Sequence, residues 1–194
     1  MALDHAILTS LAERAASGYD LTRRFDASIG FFWTATHQQI YRVLARLEAA
    51  QSVYGTVEQG HGRPDRKVYD LTPQGRAELA AWTATPSRRE PLRSDLAVKV
   101  RALPFGDATA IYADIGQQRT EHQQRLTRYE ADLAANFCNL AAIPDRQLPV
   151  YLVLRGGIRQ ERSYVDWCDE MLTVLTERIP ALSTIEDADR DRKC

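Results

Sequence analysis

Cysteine is scarce in this chain of 194 residues. Cys138, Cys168 and Cys194 are an odd number, widely spaced, and none sits in a CxxC or Cys/His ligand pattern. A disulfide scaffold and a common zinc site are therefore excluded, and Cys138 and Cys168 read as filling of a core or a partner interface. No apolar run approaches the ~18 residues of a membrane span. The N-terminus lacks the order of basic region, apolar region and small-residue cleavage site that marks a secretory leader, so a reduced, cytoplasmic protein is expected. Charge of one sign is missing too: 25 Lys and Arg face 26 Asp and Glu, for a formal charge of −1. That rules out a generally basic nucleic-acid coat but leaves room for a local basic patch. His5, His37, His61 and His122 have no ligand spacing to one another or to the cysteines. The patterns GxSxG, GxGxxG and the P-loop are absent. Acid pairs such as Asp166 and Asp169–Glu170 read as a solvated helix face. No catalysis, metal or cofactor is expected.

What is present is an ordinary globular composition, 44% hydrophobic and 26% charged. A chain of this size can bury roughly 70% of its unfolded surface without a staple. The pattern changes near residue 84. Thr85–Pro86 to Pro91 reads as a linker, placing a first domain at 1–84, a linker at 85–93, a helical domain at 94–182 and a charged, fraying tail at 183–194.

In the first domain Leu3, Ile7, Leu8 and Leu11 recur at helical spacing, and Leu21, Phe25 and Ile29 form a second stripe closed by Gly30. Thr36 caps a third helix to about Ala50. Residues 52–58 and 67–71 read as strands joined by a turn-rich hairpin tip at 60–66, and Thr72–Pro73 opens a fourth helix. This order is a winged helix-turn-helix. Projected at 100° per residue, Ile40, Val43, Leu44 and Leu47 share one arc of about 100°, while Gln38, Arg42 and Ala45 lie opposite, flanked by Tyr41 and Arg46. Amide and guanidinium groups for base edges, a small residue for close approach and cations for phosphates are what a helix in the major groove requires. Thr36 and His37 stand at its N-terminus, and the wing carries Arg63, Arg66, Lys67 and Tyr69. The first 83 residues hold nine basic and nine acidic side chains, so affinity must come from clustering and from two copies of the domain.

Ser17-Gly18-Tyr19-Asp20-Leu21, Phe32-Trp33, His37-Gln38-Gln39-Ile40-Tyr41, Gly62-Arg63-Pro64, Lys67-Val68-Tyr69 and Leu71-Thr72-Pro73-Gln74-Gly75-Arg76 resemble the PadR family of transcriptional regulators. Tyr151-Leu152-Val153-Leu154 and Glu161-Arg162-Ser163-Tyr164-Val165-Asp166-Trp167 are similar to the final helix of its larger members, whose helical C-terminal domain is like that of a virulence activator. The resemblance implies a homodimer on a palindromic, inverted-repeat operator in double-stranded DNA, usually repressing until a small molecule releases it. It also implies DNA contacts at His37, Gln39, Tyr41 and the wing.

The second half has its own pattern. Ile115, His122, Tyr129 and Asn136 form one seam of residues 108–137, and Tyr112, Arg119, Leu126 and Leu133 the other. In residues 151–179, Tyr151, Ile158, Val165, Leu172 and Ile179 alternate with Leu154, Glu161, Cys168 and Leu175. The expected fold class is mainly α, a winged helix-turn-helix followed by coiled-coil-like helices whose apolar faces a second copy covers. Leu126, Leu133, Ile158, Val165, Cys168, Leu172 and Leu175 are the expected dimer interface. The polar seam residues Arg119, His122 and Glu161 read either as register-setting pairs across the dimer or as lining of an effector pocket. Gly156–Gly157 allows a close helix crossing or a kink.

Tyr19, Trp33, His122, Tyr151 and Arg155 are the effector candidates, because stacking rings beside a cation suit an aromatic carboxylate. Two alternatives stay open: a regulator responding to hydrophobic drugs, as some relatives do, and a helical dimeric adaptor without DNA binding.

Overall fold

The computed structural model describes residues 2–27, 35–59, 65–87, 94–180 and 182. Of the residues singled out above, Ile29, Gly30, Phe32, Trp33, His61, Gly62, Arg63, Pro64, Pro91 and Cys194 lie outside these ranges. The chain divides into two compact units, Met1–Glu90 and Pro91–Cys194.

The first unit runs α1 (Ala2–Glu13), β1 (Ala16–Ser17), α2 (Gly18–Ala27), α3 (His37–Ala49), β2 (Val53–Glu58), β3 (Arg66–Leu71) and α4 (Pro73–Thr83). Local chemistry sets several boundaries. The Thr36 hydroxyl accepts from the Gln39 amide at 3.2 Å, and the Gln39 side chain accepts from the Thr36 amide at 2.8 Å, a reciprocal cap that starts α3. Gln51 closes the turn after α3 with φ of 58°. Thr72 caps α4, with Pro73 in its first turn. The Arg24 guanidinium donates to the carbonyls of Ser10, Arg14 and Ala15 and so satisfies the C-terminal end of α1 from α2.

The core of this unit joins Ile7, Leu8 and Leu11 of α1, Leu21 and Phe25 of α2, and Ile40, Val43, Leu44 and Leu47 of α3. Val53 and Leu71 close it from the strands. A two-residue strand, β1, pairs antiparallel with β3 and makes the sheet three-stranded in the order β1-β3-β2. Two residues are too few to alternate, so the sequence reads this segment only as a helix break. Gly75 lets α4 settle on the preceding turn, because a side chain there would run into the Ser52 backbone carbonyl.

The second unit contains α5 (Asp95–Arg101), a 3₁₀ turn (Leu103–Phe105), α6 (Ala108–Asn136), two further 3₁₀ turns (Leu140–Ala142 and Asp145–Gln147) and α7 (Leu148–Arg178). The long helices pack antiparallel. Thr176 donates to the Tyr112 hydroxyl, Arg119 pairs with Asp169, and Phe137 meets Tyr151. This arrangement corrects the expectation for the heptad seams. Leu126, Ile158, Val165, Cys168 and Leu175 are buried within one chain, Leu172 packs on the same core, and Leu133 is partly covered. Leu126, Ile158, Val165, Cys168 and Leu175 are thus intramolecular core, because α6 folds back on α7 and covers the stripe itself, while Leu133 and Leu172 are half-buried. Of the two readings of the polar seam residues, pairing across a dimer gives way to pairing inside the subunit: Arg119 meets Asp169 at 2.6 Å, and His122 meets Glu161 at 2.5 Å. Asp169 is thus a pairing group and not merely a solvated acid. Gly157 takes the close-approach role, with the Tyr129 ring 3.4 Å from where its Cβ would sit, while Gly156 faces open space.

Candidate nucleic-acid interface

The apolar stripe of α3 fixes which side chains it presents. With Ile40, Val43, Leu44 and Leu47 buried, His37, Gln38, Tyr41, Arg42, Ala45 and Arg46 are exposed on the other side. Among the described residues Arg42 has no ion-pair partner, and its guanidinium fork is available for a guanine edge or a phosphate. Tyr41 is half exposed, and its ring lies against Gly18, where any larger residue would collide with it. That contact explains the glycine that opens α2. Thr36 and Gln39 are exposed too, but each is engaged in the cap. Gln39 therefore offers only its amide nitrogen outward. Arg46 is tied to Asp4 of α1.

The wing is stiffer at its base than a glycine-bounded loop implies. The antiparallel register sets Glu58 opposite Arg66 and Val57 opposite Lys67. Arg66 donates to Glu58 at 2.8 Å and lies 3.8 Å from Asp20. Lys67 reaches Glu48 of α3 at 2.7 Å, with Nζ 5.3 Å from the centre of the Tyr69 ring. The hydrogen bond to Glu48 raises the lysine pKa above its ordinary value. Tyr69 itself is half-buried against the core. The sequence reading missed Glu48, Glu58 and Asp20 as partners. The pair across the hairpin depends on β3 beginning at Arg66, which the sequence places in the turn, and the reach of Lys67 to another element carries no local signal.

The effector candidates do not converge in the second unit. Tyr151 tilts against Phe137 with centroids 5.7 Å apart, and Arg155 is exposed. His122 instead stacks on Tyr164 at 4.2 Å, about 20 Å along α7 from Tyr151 and about 14 Å from Arg155, so it does not face them as expected. Tyr19 is an exposed residue of α2 in the other unit. His122 and Tyr164 line a cavity of about 450 Å³, together with Leu96, Lys99, Asp114 and Gln118. Behind the imidazole, Nδ1 lies 2.5 Å from the carboxylate of the buried Glu161 and 2.8 Å from the Arg125 guanidinium, which itself reaches Glu161 at 3.2 Å. No periodic signal connects Lys99 and Asp114 to this cavity, and the motif at 161–167 does not by itself direct Tyr164 to it. The Cys168 thiol is pushed up in pKa by burial, as suits an inert core side chain. Among the described residues no group of His, Cys, Asp and Glu is arranged to hold a metal ion, and no helix is long and apolar enough to cross a membrane.

Comparison with known proteins agrees with this geometry. Residues 7–81 match the transcriptional regulator PadR-like family, and residues 92–176 match the virulence activator alpha C-terminal family. The chain is 48% identical to a probable transcriptional regulator of Mycobacterium tuberculosis, over 92% of this chain and 100% of that protein. It is 30% identical to the negative transcriptional regulator PadR of Bacillus subtilis, over 89% of this chain and 97% of that one. Crystal structures of the Bacillus protein with operator DNA and with p-coumaric acid superpose with TM-scores of 0.77 and 0.68, at 24% and 25% identity. Each covers 90% of this chain, and the matches span 99% and 95% of the respective structures. The Vibrio cholerae virulence activator AphA gives a TM-score of 0.76 at 31% identity, over 90% of this chain and 98% of its own.

Proposed function

The chain belongs to the PadR-like family of transcriptional regulators, and from that premise we propose that it is a homodimeric repressor of an inverted-repeat operator, released by a small molecule. The observation that carries the DNA-binding part is the split of α3, apolar stripe buried and His37, Gln38, Tyr41 and Arg42 exposed, beside a basic wing. The alternative of an adaptor without DNA binding leaves that face without a purpose. Repression follows the Bacillus relative, a negative regulator whose structure holds operator DNA.

Dimerisation is supported by surface that α6 does not cover. Leu148, Val150, Leu152 and Val153, at the start of α7, stay exposed. A two-fold dimer places two copies of α3 about one helical turn, or a multiple, apart on the duplex.

For the effector we propose a small aromatic compound with a polar substituent, held in the second unit. The cavity beside His122 and Tyr164 supports this: two aromatic rings in its wall, Lys99 as a cation that a ligand would share with Asp114 at 2.6 Å, and a volume of about 450 Å³. The Bacillus relative binds p-coumaric acid, which is the first probe to use.

The test is a gel shift on DNA upstream of the chain's own gene, with and without p-coumaric acid, beside a reporter. Binding with an inverted-repeat footprint and a rise in expression on deleting the gene are expected. No binding to any duplex sinks the DNA reading. A fall in expression on deletion replaces repressor by activator, the role of the Vibrio relative. Release by the acid that persists in His122→Ala removes the cavity from the reading.

A further inference from the structure

The wing-base cations are already partnered in the chain on its own. Lys67 lays its stem across Gly55 of β2 to reach Glu48, in the last turn of α3, at 2.7 Å. A side chain at position 55 would strike the end of that stem and would come within 3.0 Å of the Glu48 carboxylate. The glycine therefore keeps a path open for one ion pair, and the Tyr69 ring borders it. Arg66 is held in the same way between Glu58 and Asp20. Arg42 on the exposed face of α3 has no such partner among the described residues.

We infer that Glu48 and Glu58 are specificity-determining residues: they restrain Lys67 and Arg66 so that random DNA gains little from them. The inference rests on the reading that α3 and the wing bind DNA. A cation with a carboxylate at hydrogen-bond distance must keep that acid, which repels an approaching phosphate, or surrender it. Either way its phosphate contact contributes less than that of a free cation. Random DNA is bound almost wholly through phosphates, whereas an operator also offers base edges that fix the docking geometry. A released lysine or arginine follows the backbone in any register. Freeing it therefore strengthens nonspecific binding more than operator binding. A domain with equal numbers of acids and bases then owes its discrimination to where its acids stand.

The experiment measures affinity for a random-sequence duplex and for an operator selected from a random pool, across a salt series. It compares the full-length wild type with Glu48→Gln, Glu58→Gln, Gly55→Ala and, as a charge control in the second unit, Glu177→Gln. Glu48→Gln and Glu58→Gln should each bind the random duplex roughly threefold more tightly or better, with a salt slope steeper by up to about one per freed cation in each subunit. Operator affinity should change less, so the ratio between the two DNAs falls. Gly55→Ala should move the same way with the Glu48 charge intact, because the new methyl strikes the flexible end of Lys67 and crowds the Glu48 carboxylate, both of them side-chain ends. Circular dichroism melting checks that each variant folds. If the two glutamine variants shift random binding no more than Glu177→Gln does, or weaken both DNAs, the acids are only struts and the inference is overturned. A wild type that binds neither duplex defeats the DNA-binding reading and this inference together. A wild type that discriminates, with variants that do not move, defeats this inference alone.

Discussion

Arg42 and Glu161 show how opposite surroundings give a charged side chain opposite work. Arg42 is exposed on α3, unpaired among the described residues, and pays no desolvation cost until a ligand arrives. Arg42→Ala should cost about 1–3 kcal/mol on the operator and narrow its margin over random DNA, while the fold keeps its melting temperature. Titration of both DNAs reads this directly. An unchanged operator preference would mean that the wing reads the bases. Glu161 is buried in the α6–α7 seam, where His122 and Arg125 converge on its carboxylate. Glu161→Ala strands both partners and should destabilise the protein by about 3–5 kcal/mol in urea unfolding. Glu161→Gln keeps a hydrogen-bonding group in place and should cost less. Equal losses for the two would point to packing and not to the ion network.

Among the elements, α7 carries the clearest contrast. Gly156 and Gly157 are neighbours in one helix, yet only Gly157 has a ring over it. Gly156→Ala should stabilise the protein by about 1 kcal/mol, since it adds helix propensity where space is open. Gly157→Ala should gain less, because the new methyl meets Tyr129 at 3.4 Å. Thermal melts of the two variants make the comparison. A loss of stability in Gly156→Ala would place that surface against a partner. In α3, the Thr36–Gln39 cap and the four buried aliphatic residues set the helix and its outward face together, so both were readable from spacing. The register of β2 on β3 was set by the fold, while the two strands themselves were readable from alternation between turn signals. β1 was not, because its two residues depend on pairing with β3.

At the scale of the whole molecule, the intramolecular α6–α7 seam moves the expected dimer surface to the exposed start of α7. Leu152→Asp together with Val153→Asp should give folded monomers that lose operator affinity, since each copy of α3 then binds alone. Leu175→Asp should unfold the second unit instead, because Leu175 is core. Sedimentation and circular dichroism separate the two outcomes. A wild type that sediments as a monomer at micromolar concentration defeats the dimer proposal.

The sequence by itself determined the winged helix-turn-helix, the outward face of α3 and the helical character of the second half. Each of these is a local pattern: a cap, a period near 3.6 or 2, or a turn residue. Tertiary structure decided what covers each face and which charges meet. A heptad stripe has the same spacing whether its partner is the next helix of the same chain or a second copy, so only the fold of α6 onto α7 assigned Ile158, Val165 and Cys168 to an intramolecular core. Opposite charges 19 residues apart carry no periodic signal, so only packing joined Glu48 to Lys67. The same holds for His122, which packing set against Tyr164 and Glu161 and away from Tyr151.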